Sequence, residues 1–411
     1  MRARPVVAAL ALLVYPACQS SPPPQAAPPA PPDSRVEALD AARAWAHLEE
    51  FAEIGPRVMG TQGAARAREY ILAELEKLGL ETTLQRVRVT FSRGSEGSVE
   101  ELELYNIAAV VPGASSDVFL VIAPFDTRPF ETFSFPGVND GGSGAALLLE
   151  LARVLAADPL PYTTWLVFLE GEAPRLPGRA PAPPSNFGSY ALAQRLKSLG
   201  ALQQVRLAVV LNQICDADLH VARDLGSHRI YREEFWRAAA RLGYRDAFPP
   251  AASFESPAGS HQALIQAGLR PVVALIDTSF GGSEPPGPYA GTEDDDLEHC
   301  SSESLRVVGE VTLEALGSIG TRLAKIDRFS ESPVTGTEAL RLESLPATQL
   351  PATGTTTDDS GAAPPLAEPE APAPPATDAA PEAGAAPEAA GELPQVGGAA
   401  SEPAESAREK P

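Results

Sequence analysis

The sequence predicts an α/β fold: a three-layer sandwich whose mixed, largely parallel central sheet is flanked by helices. Three observations predict it. Apolar runs at 118–122, 165–169, 205–211 and 271–276 read as strands buried on both faces. Helical patterns lie between them at the spacing of β–α–β units. A glycine-rich turn, Gly137-Val138-Asn139-Asp140-Gly141-Gly142-Ser143-Gly144, runs straight into an apolar-faced helix over 145–155. In open α/β sheets ligands bind in the crevice outside the carboxyl ends of the strands. That turn presents Asp140 there.

Composition sets the boundaries of the folded part. The chain has 411 residues, a formal net charge of -22 and 42 prolines, too many for one compact fold and gathered at its two ends. Residues 331–411 carry 14 Asp or Glu against Arg341, Arg408 and Lys410, half of the net negative charge. Nucleic-acid binding needs a basic patch, and nothing here suggests one. Met1-Arg2-Ala3-Arg4 precedes an apolar stretch at 6–14 that is too short to span a bilayer. It ends at Tyr15-Pro16-Ala17-Cys18, which resembles a bacterial lipoprotein signal with Cys18 as the acylated residue. Residues 1–18 therefore read as a signal peptide and 19–34 as a Pro/Ala-rich tether. Residues 35–326 read as the folded domain, and 327–411 as a disordered acidic tail. The expected location is the bacterial cell envelope, with membrane contact through Cys18. Cys18, Cys215 and Cys300 give neither a disulfide framework nor a CxxC metal pattern. Cys215, just past a buried strand, reads as an inert core thiol.

Within the domain each element has its own signal. Ser34-Arg35-Val36-Glu37 has capping-box spacing and opens a helix through Leu48, Phe51 and Ile54. After a turn at 55–60, Thr61 caps a second helix with Ala65, Tyr70, Ile71, Leu75 and Leu78 on one face, stopped at Gly79. Alternation of Leu84, Arg86, Arg88 and Thr90 against Val87, Val89 and Phe91 marks a strand. A polar hairpin turn at 92–97 leads to a strand ending at Val111-Pro112-Gly113. The 118–122 strand runs out through Ala123-Pro124-Phe125-Asp126-Thr127, an acid at a strand end. The 165–169 strand ends at Glu170-Gly171-Glu172-Ala173. A Pro-rich loop at 174–184 then either rims the pocket or is a tolerated surface insertion. A helix over 187–199 and the 205–211 strand, ending at Asn212, come next. A short extended piece at 218–222, helices at 233–242 and 261–267, the last strand and a closing helix at 304–323 complete the domain.

Four motifs fall at element boundaries in this order. They are Gly55-Pro56-Arg57-Val58-Met59-Gly60, Asn106-Ile107 with Pro112-Gly113, the turn from Gly137 to Gly144, and a stretch from Tyr289 to Leu305. Together they resemble the M28 family of zinc-dependent peptidases, including its glutaminyl-cyclase branch, across residues 35–326. The first is similar to G-x-R-x-x-G and the third to G-A-x-D-N-A-S-G. Tyr289-Ala290-Gly291-Thr292-Glu293-Asp294-Asp295-Asp296-Leu297-Glu298 with Ser301-Ser302-Glu303-Ser304-Leu305 fits Y-W-H-T-P-x-D-T-L-D-x-x-S-P-E-S-L without a gap.

The resemblance implies a zinc-exopeptidase fold and assigns positions. Catalytic zinc takes three or four side-chain donors and keeps one position open for water. A glutamate acts as general base. Asp140 matches the metal-bridging aspartate, and Asp126 the aspartate of A-H-Y-D-T, but Pro124 stands at that motif's ligand histidine. Glu172 falls at the general base, Ala173 at a ligand glutamate, Asn212 at a ligand aspartate and Gly291 at a ligand histidine. Glu170 and Glu172 could share the base and ligand roles. His261 matches the histidine of D-D-H, with Gly259 and Ser260 at its carboxylates. One carboxylate cannot hold catalytic zinc at useful affinity. The expectation is a pseudoenzyme without a cofactor that binds a peptide or protein ligand in the remnant cleft. The alternative is an active zinc-dependent aminopeptidase or glutaminyl-peptide cyclotransferase with a rearranged site. Glu172 and Asp126 are the catalytic candidates, Glu170, Asn212 and His261 the binding candidates, and Asp140 the residual metal ligand. Plainer readings stand beside these: Asp140 as a helix N-cap, Glu172 as a solvated loop acid, His261 as structural, and 294–296 as a solvated acidic turn.

Overall fold

The computed structural model describes residues 31–93, 98–173, 186–253, 259–327 and 348–351. All of them belong to one compact unit, and residues 352–411 lie outside the described residues. The signal segment, most of the tether, the hairpin tip and the Pro-rich loop also lie outside them.

The first helix is two helices. Asp33, not Ser34, caps α1 (Ser34–Ala38), accepting from the Arg35 N–H at 3.0 Å. Asp40 then opens α2 (Ala41–Ile54) by accepting from the Ala42 N–H at 3.0 Å. Aspartate competes for backbone donors, so each one starts a new helix. α2 buries Ala44, Leu48, Phe51 and Ile54 along one stripe. α3 (Gln62–Lys77) buries Ala64, Ala67, Ile71 and Leu75. Thr61 sits at its N-cap position, but its hydroxyl donates backwards to the Val58 carbonyl at 2.6 Å and caps nothing.

Strands β1 (Glu81–Arg93) and β2 (Ser98–Val111) form a long antiparallel hairpin. β3 (Ser115–Pro124) follows, then α4 (Gly144–Ala157), β4 (Tyr162–Leu169), α5 (Phe187–Ser198) and β5 (Val205–Asn212). The short strands β6 (Arg223–Asp224) and β7 (Ala252–Ser253) pair with each other on either side of α6 (Arg229–Leu242). α7 (Ser260–Gln266), β8 (Val272–Ile276) and α8 (Ser302–Asp327) close the domain. The sheet order is β8-β5-β3-β4-β2-β1, with the first four strands parallel. Along β3, Phe119, Val121 and Ala123 enter one core and Leu120 and Ile122 the other. The first core is completed by α2, α3, α4, α6 and α8, the second by α5 and α7. This is the expected three-layer α/β sandwich. Among the described residues no helix is long and apolar enough to cross a membrane.

Two expectations fail here. The tail contributes a strand, β9 (Thr348–Pro351), which runs parallel to β1 on the open edge of the sheet, Val87 opposite Thr348. Four residues are too few to show in composition. Cys215 is not a free thiol: it is disulfide-bonded to Cys300, 85 residues later. The sequence hid the pair because only the topology brings the exit of β5 beside the loop before α8.

Candidate functional site

Every parallel strand of the sheet's centre ends at one cavity of about 330 Å³. Pro124 and Asp126 come from the end of β3, Asp140 from the glycine turn, and Glu172 and Ala173 from beyond β4. Asn212 and Gln213 come from the end of β5, Ser260 from the start of α7, and Ile276 and Thr278 from the exit of β8. The volume is that of a small-molecule or side-chain pocket.

Glycine lets the turn press against the strand ends. A Cβ on Gly141, at φ +83°, would lie 2.1 Å from the Asp126 carbonyl oxygen, and one on Gly144 2.3 Å from that of Leu211. Asp140 itself has φ -81° and ψ 106°, and its side chain caps no helix. Its Oδ2 instead accepts from Arg128 Nε at 3.0 Å and Nη2 at 2.8 Å. The turn's backbone is gripped by Asp295, which accepts from the Asn139 N–H at 2.6 Å and the Asp140 N–H at 3.2 Å. Asp295 is 1% exposed, so the 294–296 stretch is no solvated turn at its centre. Burial first, and then the charge of Asp140, push the Asp295 carboxyl up to about 7. Arg57 completes the frame. It is fully buried, and its guanidinium donates to the carbonyls of Phe125, Phe51, Gly55, Pro136 and Gly137 at 2.7–3.1 Å.

The sequence-predicted residues divide into two groups. Asp126, Asp140, Glu172 and Asn212 share the cavity wall. Asp126 accepts from the Glu172 N–H at 3.1 Å and the Ala173 N–H at 3.2 Å. Its carboxyl is pushed up to about 8, by burial above all and then by the charge of Glu172. Glu172 Oε1 accepts from the Ser189 N–H at 2.7 Å and Oε2 from the Ser260 hydroxyl at 2.5 Å. Burial raises its pKa as well. Asn212 Oδ1 is buried with no hydrogen-bond partner among the described residues. Glu170 and His261 are elsewhere. Glu170 turns to the far side, where it accepts from the Tyr105 N–H at 2.9 Å and Arg68 Nη1 at 3.1 Å, so it is no candidate to share the role of Glu172. His261 is 2% exposed and does not line the cavity. Its Nε2 lies 3.9 Å from Asp224 Oδ2, and burial lowers its pKa.

Residues that the sequence reasoning passed over matter as much. Arg128 lines the cavity, and a Cβ on Gly291 would stand 3.6 Å from its Nη1 and 3.7 Å from Phe130 Cζ. The side chains of Arg128 and Phe130 thus lie within ordinary contact distance of a Cβ at 291. The signal was available: a cation two residues beyond a strand-end acid, on the loop facing the Asp140 turn. Asn186 and Gln213, at φ 70° and 52°, are the positive-φ residues other than glycine among those described, and both line the cavity. Backbone strain of this kind gathers at functional sites.

The donor set does not fit catalytic zinc. The four positions expected to supply its other ligands carry Pro124, Ala173, Asn212 and Gly291. Among the described residues no group of three or more His, Cys, Asp or Glu is placed to hold a metal ion. A guanidinium already sits on Asp140, and a second cation there would meet its charge.

A parallel sheet between helices, with acids and a glycine turn at its carboxyl edge, is the framework of the zinc exopeptidases and glutaminyl cyclases. The family model of peptidase family M28 matches residues 106–316, and the chain belongs to that family. It is similar to leupeptin-inactivating enzyme 1 of Streptomyces exfoliatus, 32% identical over 168 residues, 39% of this chain and 34% of that one. A probable zinc metalloprotease of Pyrenophora tritici-repentis is 28% identical over 189 residues, covering 41% and 37%. The chain thus spans about a third of the length of the curated relatives it matches. Among solved structures, the glutaminyl cyclase of an Acidobacteriales bacterium superimposes with a TM-score of 0.62 at 26% identity, over 74% of this chain and 100% of that one. The glutaminyl cyclase of Fimbriiglobus ruber gives 0.61 at 26%, over 71% and 99%.

Proposed function

We propose that this chain is a pseudoenzyme of the M28 family: its cleft takes a peptide or protein ligand, while zinc-dependent hydrolysis and cyclisation are lost. The observation that carries this reading is the Arg128–Asp140 pair, at 3.0 and 2.8 Å. The one carboxylate left from the expected metal site already has a built-in cation, and among the described residues no imidazole lines its cavity. The unpartnered Asn212 Oδ1 and the strained Asn186 and Gln213 support a cleft kept for binding. Elemental analysis of the purified full chain is expected to find zinc far below one ion per chain. Near-stoichiometric zinc, lost in Asp140→Ala, would return the chain to the working peptidases or cyclases.

We also propose export to the cell envelope and anchoring through Cys18. The disulfide between Cys215 and Cys300 supports an oxidising compartment. Labelled palmitate should enter the wild-type chain in its bacterial host and not Cys18→Ser; equal labelling of both would refute the anchor.

A further inference from the structure

Ser260 and Glu172 form a pair that the zinc-free reading leaves without a task. The hydroxyl donates to the carboxylate at 2.5 Å, and both residues line the cavity. The Ser189 N–H fixes the other carboxylate oxygen at 2.7 Å. An activated nucleophile needs these relations: a hydroxyl within reach of a base, and a base oriented by a third group. The wall also carries groups with hydrogen-bonding capacity to spare. Arg128 engages Asp140 through Nε and Nη2, which leaves Nη1 without a partner among the described residues. The Asn212 Oδ1, an acceptor, bonds none of the described residues either.

We propose that Ser260 is a nucleophile and Glu172 its general base in a metal-independent acyl transfer from small carboxylic esters. This rests only on the loss of zinc chemistry in that reading and gives the cleft a different, metal-independent reaction, because in a zinc-loaded cleft Glu172 would serve water instead. As Ser260 Oγ bonds to the ester carbonyl carbon, its proton passes to Glu172 Oε2. The carbonyl π pair moves onto oxygen, for which Arg128 Nη1 is a donor in the same cavity. Collapse breaks the bond to the alcohol, which leaves with the proton from Glu172. Water then adds to the acyl-serine and gives a proton to Glu172. The Oγ–carbon bond breaks, and Oγ recovers that proton. Ester and water become carboxylic acid and alcohol, with no oxidant or reductant. A cavity of about 330 Å³ limits the acyl group to a short chain.

The test treats the full chain with EDTA and then with an alkyl fluorophosphonate, and locates adducts by peptide mass spectrometry. The expected result is an adduct on Ser260 whose rate of formation EDTA does not change. Ser260→Ala should abolish it. Glu172→Gln, whose single carboxamide oxygen can still accept from the Ser189 N–H, should slow labelling by about 100-fold or more. Glu172→Asp, which keeps the charge but withdraws the base, should slow it similarly and guards against a misfolded glutamine variant. Absence of the Ser260 adduct in the wild-type chain, or labelling of both Glu172 variants at the wild-type rate, overturns the proposal. Zinc in the purified chain would overturn the zinc-free reading on its own, by a separate measurement.

Discussion

At Asp140 a single carboxylate has changed partners. In the resemblance it faces a metal; here it faces Arg128, with side chains 14% and 30% exposed. Such a partly exposed pair, still reached by solvent, contributes little stability, on the order of 1 kcal/mol or less. Its effect is on what else can approach. Rebuilding the site should therefore work only if the cation is removed together with the gaps being filled. The variant Arg128→Ala, Ala173→Glu, Gly291→His is expected to bind zinc with a Kd on the order of micromolar or tighter by calorimetry, since it returns two donor side chains beside Asp140 at the positions the resemblance assigns to ligands. The same two added ligands with Arg128 retained should bind at least about tenfold more weakly, an expectation from like-charge repulsion. Asp126 offers a second test at this scale. Its pKa rises from 3.8 to about 8 in the fold. The folded state then holds a proton that the unfolded state has released, so stability falls as pH rises through that window. Denaturant midpoints should be lower at about pH 9 than at about pH 5, and Asp126→Asn should flatten part of the slope. A slope unchanged in the variant would place the dependence on other groups.

Elements show how much the sequence could tell and where it stopped. Unbroken apolar runs exposed the central strands because β3 is buried on both faces, Phe119 and Val121 in one core and Leu120 and Ile122 in the other. The glycine turn was legible because Gly141 and Gly144 leave no room for a Cβ. Asp126, Asp140, Glu172 and Asn212 could be placed together because each follows the carboxyl end of a central strand or the turn beside it. Arg57 was quoted for its motif, yet its role was hidden. Nothing local says that one guanidinium will gather five carbonyls from the exits of α2 and β3 and from the glycine turn. Glu170 misled because neighbours two apart beyond a strand end can turn to opposite sides, and here Arg68 and the Tyr105 N–H draw it away. Arg57→Met is expected to cost at least about 3 kcal/mol, because each orphaned carbonyl loses about 1–3 kcal/mol. Urea unfolding would measure it, and a loss below about 1 kcal/mol would mean that water replaces the clasp.

Across the whole molecule, the cleft is tied together by the chain's own bonds. The disulfide joins the exit of β5 to the segment that carries Asp295, and Asp295 in turn grips the glycine turn. Around it the Cys215 N–H donates to Asn139 Oδ1 at 3.0 Å, and the Ser301 N–H to the Cys215 carbonyl at 2.7 Å. Closing a loop of 85 residues contributes about 2–4 kcal/mol in most proteins. Cys215→Ser with Cys300→Ser should lower stability by that amount, while EDTA leaves the wild-type thermal midpoint unmoved. A midpoint that drops with EDTA and not with the double variant would reverse this picture. The disulfide has a thermodynamic consequence beyond its own strength. A clamp made by a dissociable ion stabilises by RT ln(1 + [ligand]/Kd), so the folded fraction follows the ion's concentration. A covalent clamp has no such mass-action dependence. With the cleft free of zinc, as proposed above, the folded population of this chain is expected to stay constant as zinc in the surroundings rises or falls.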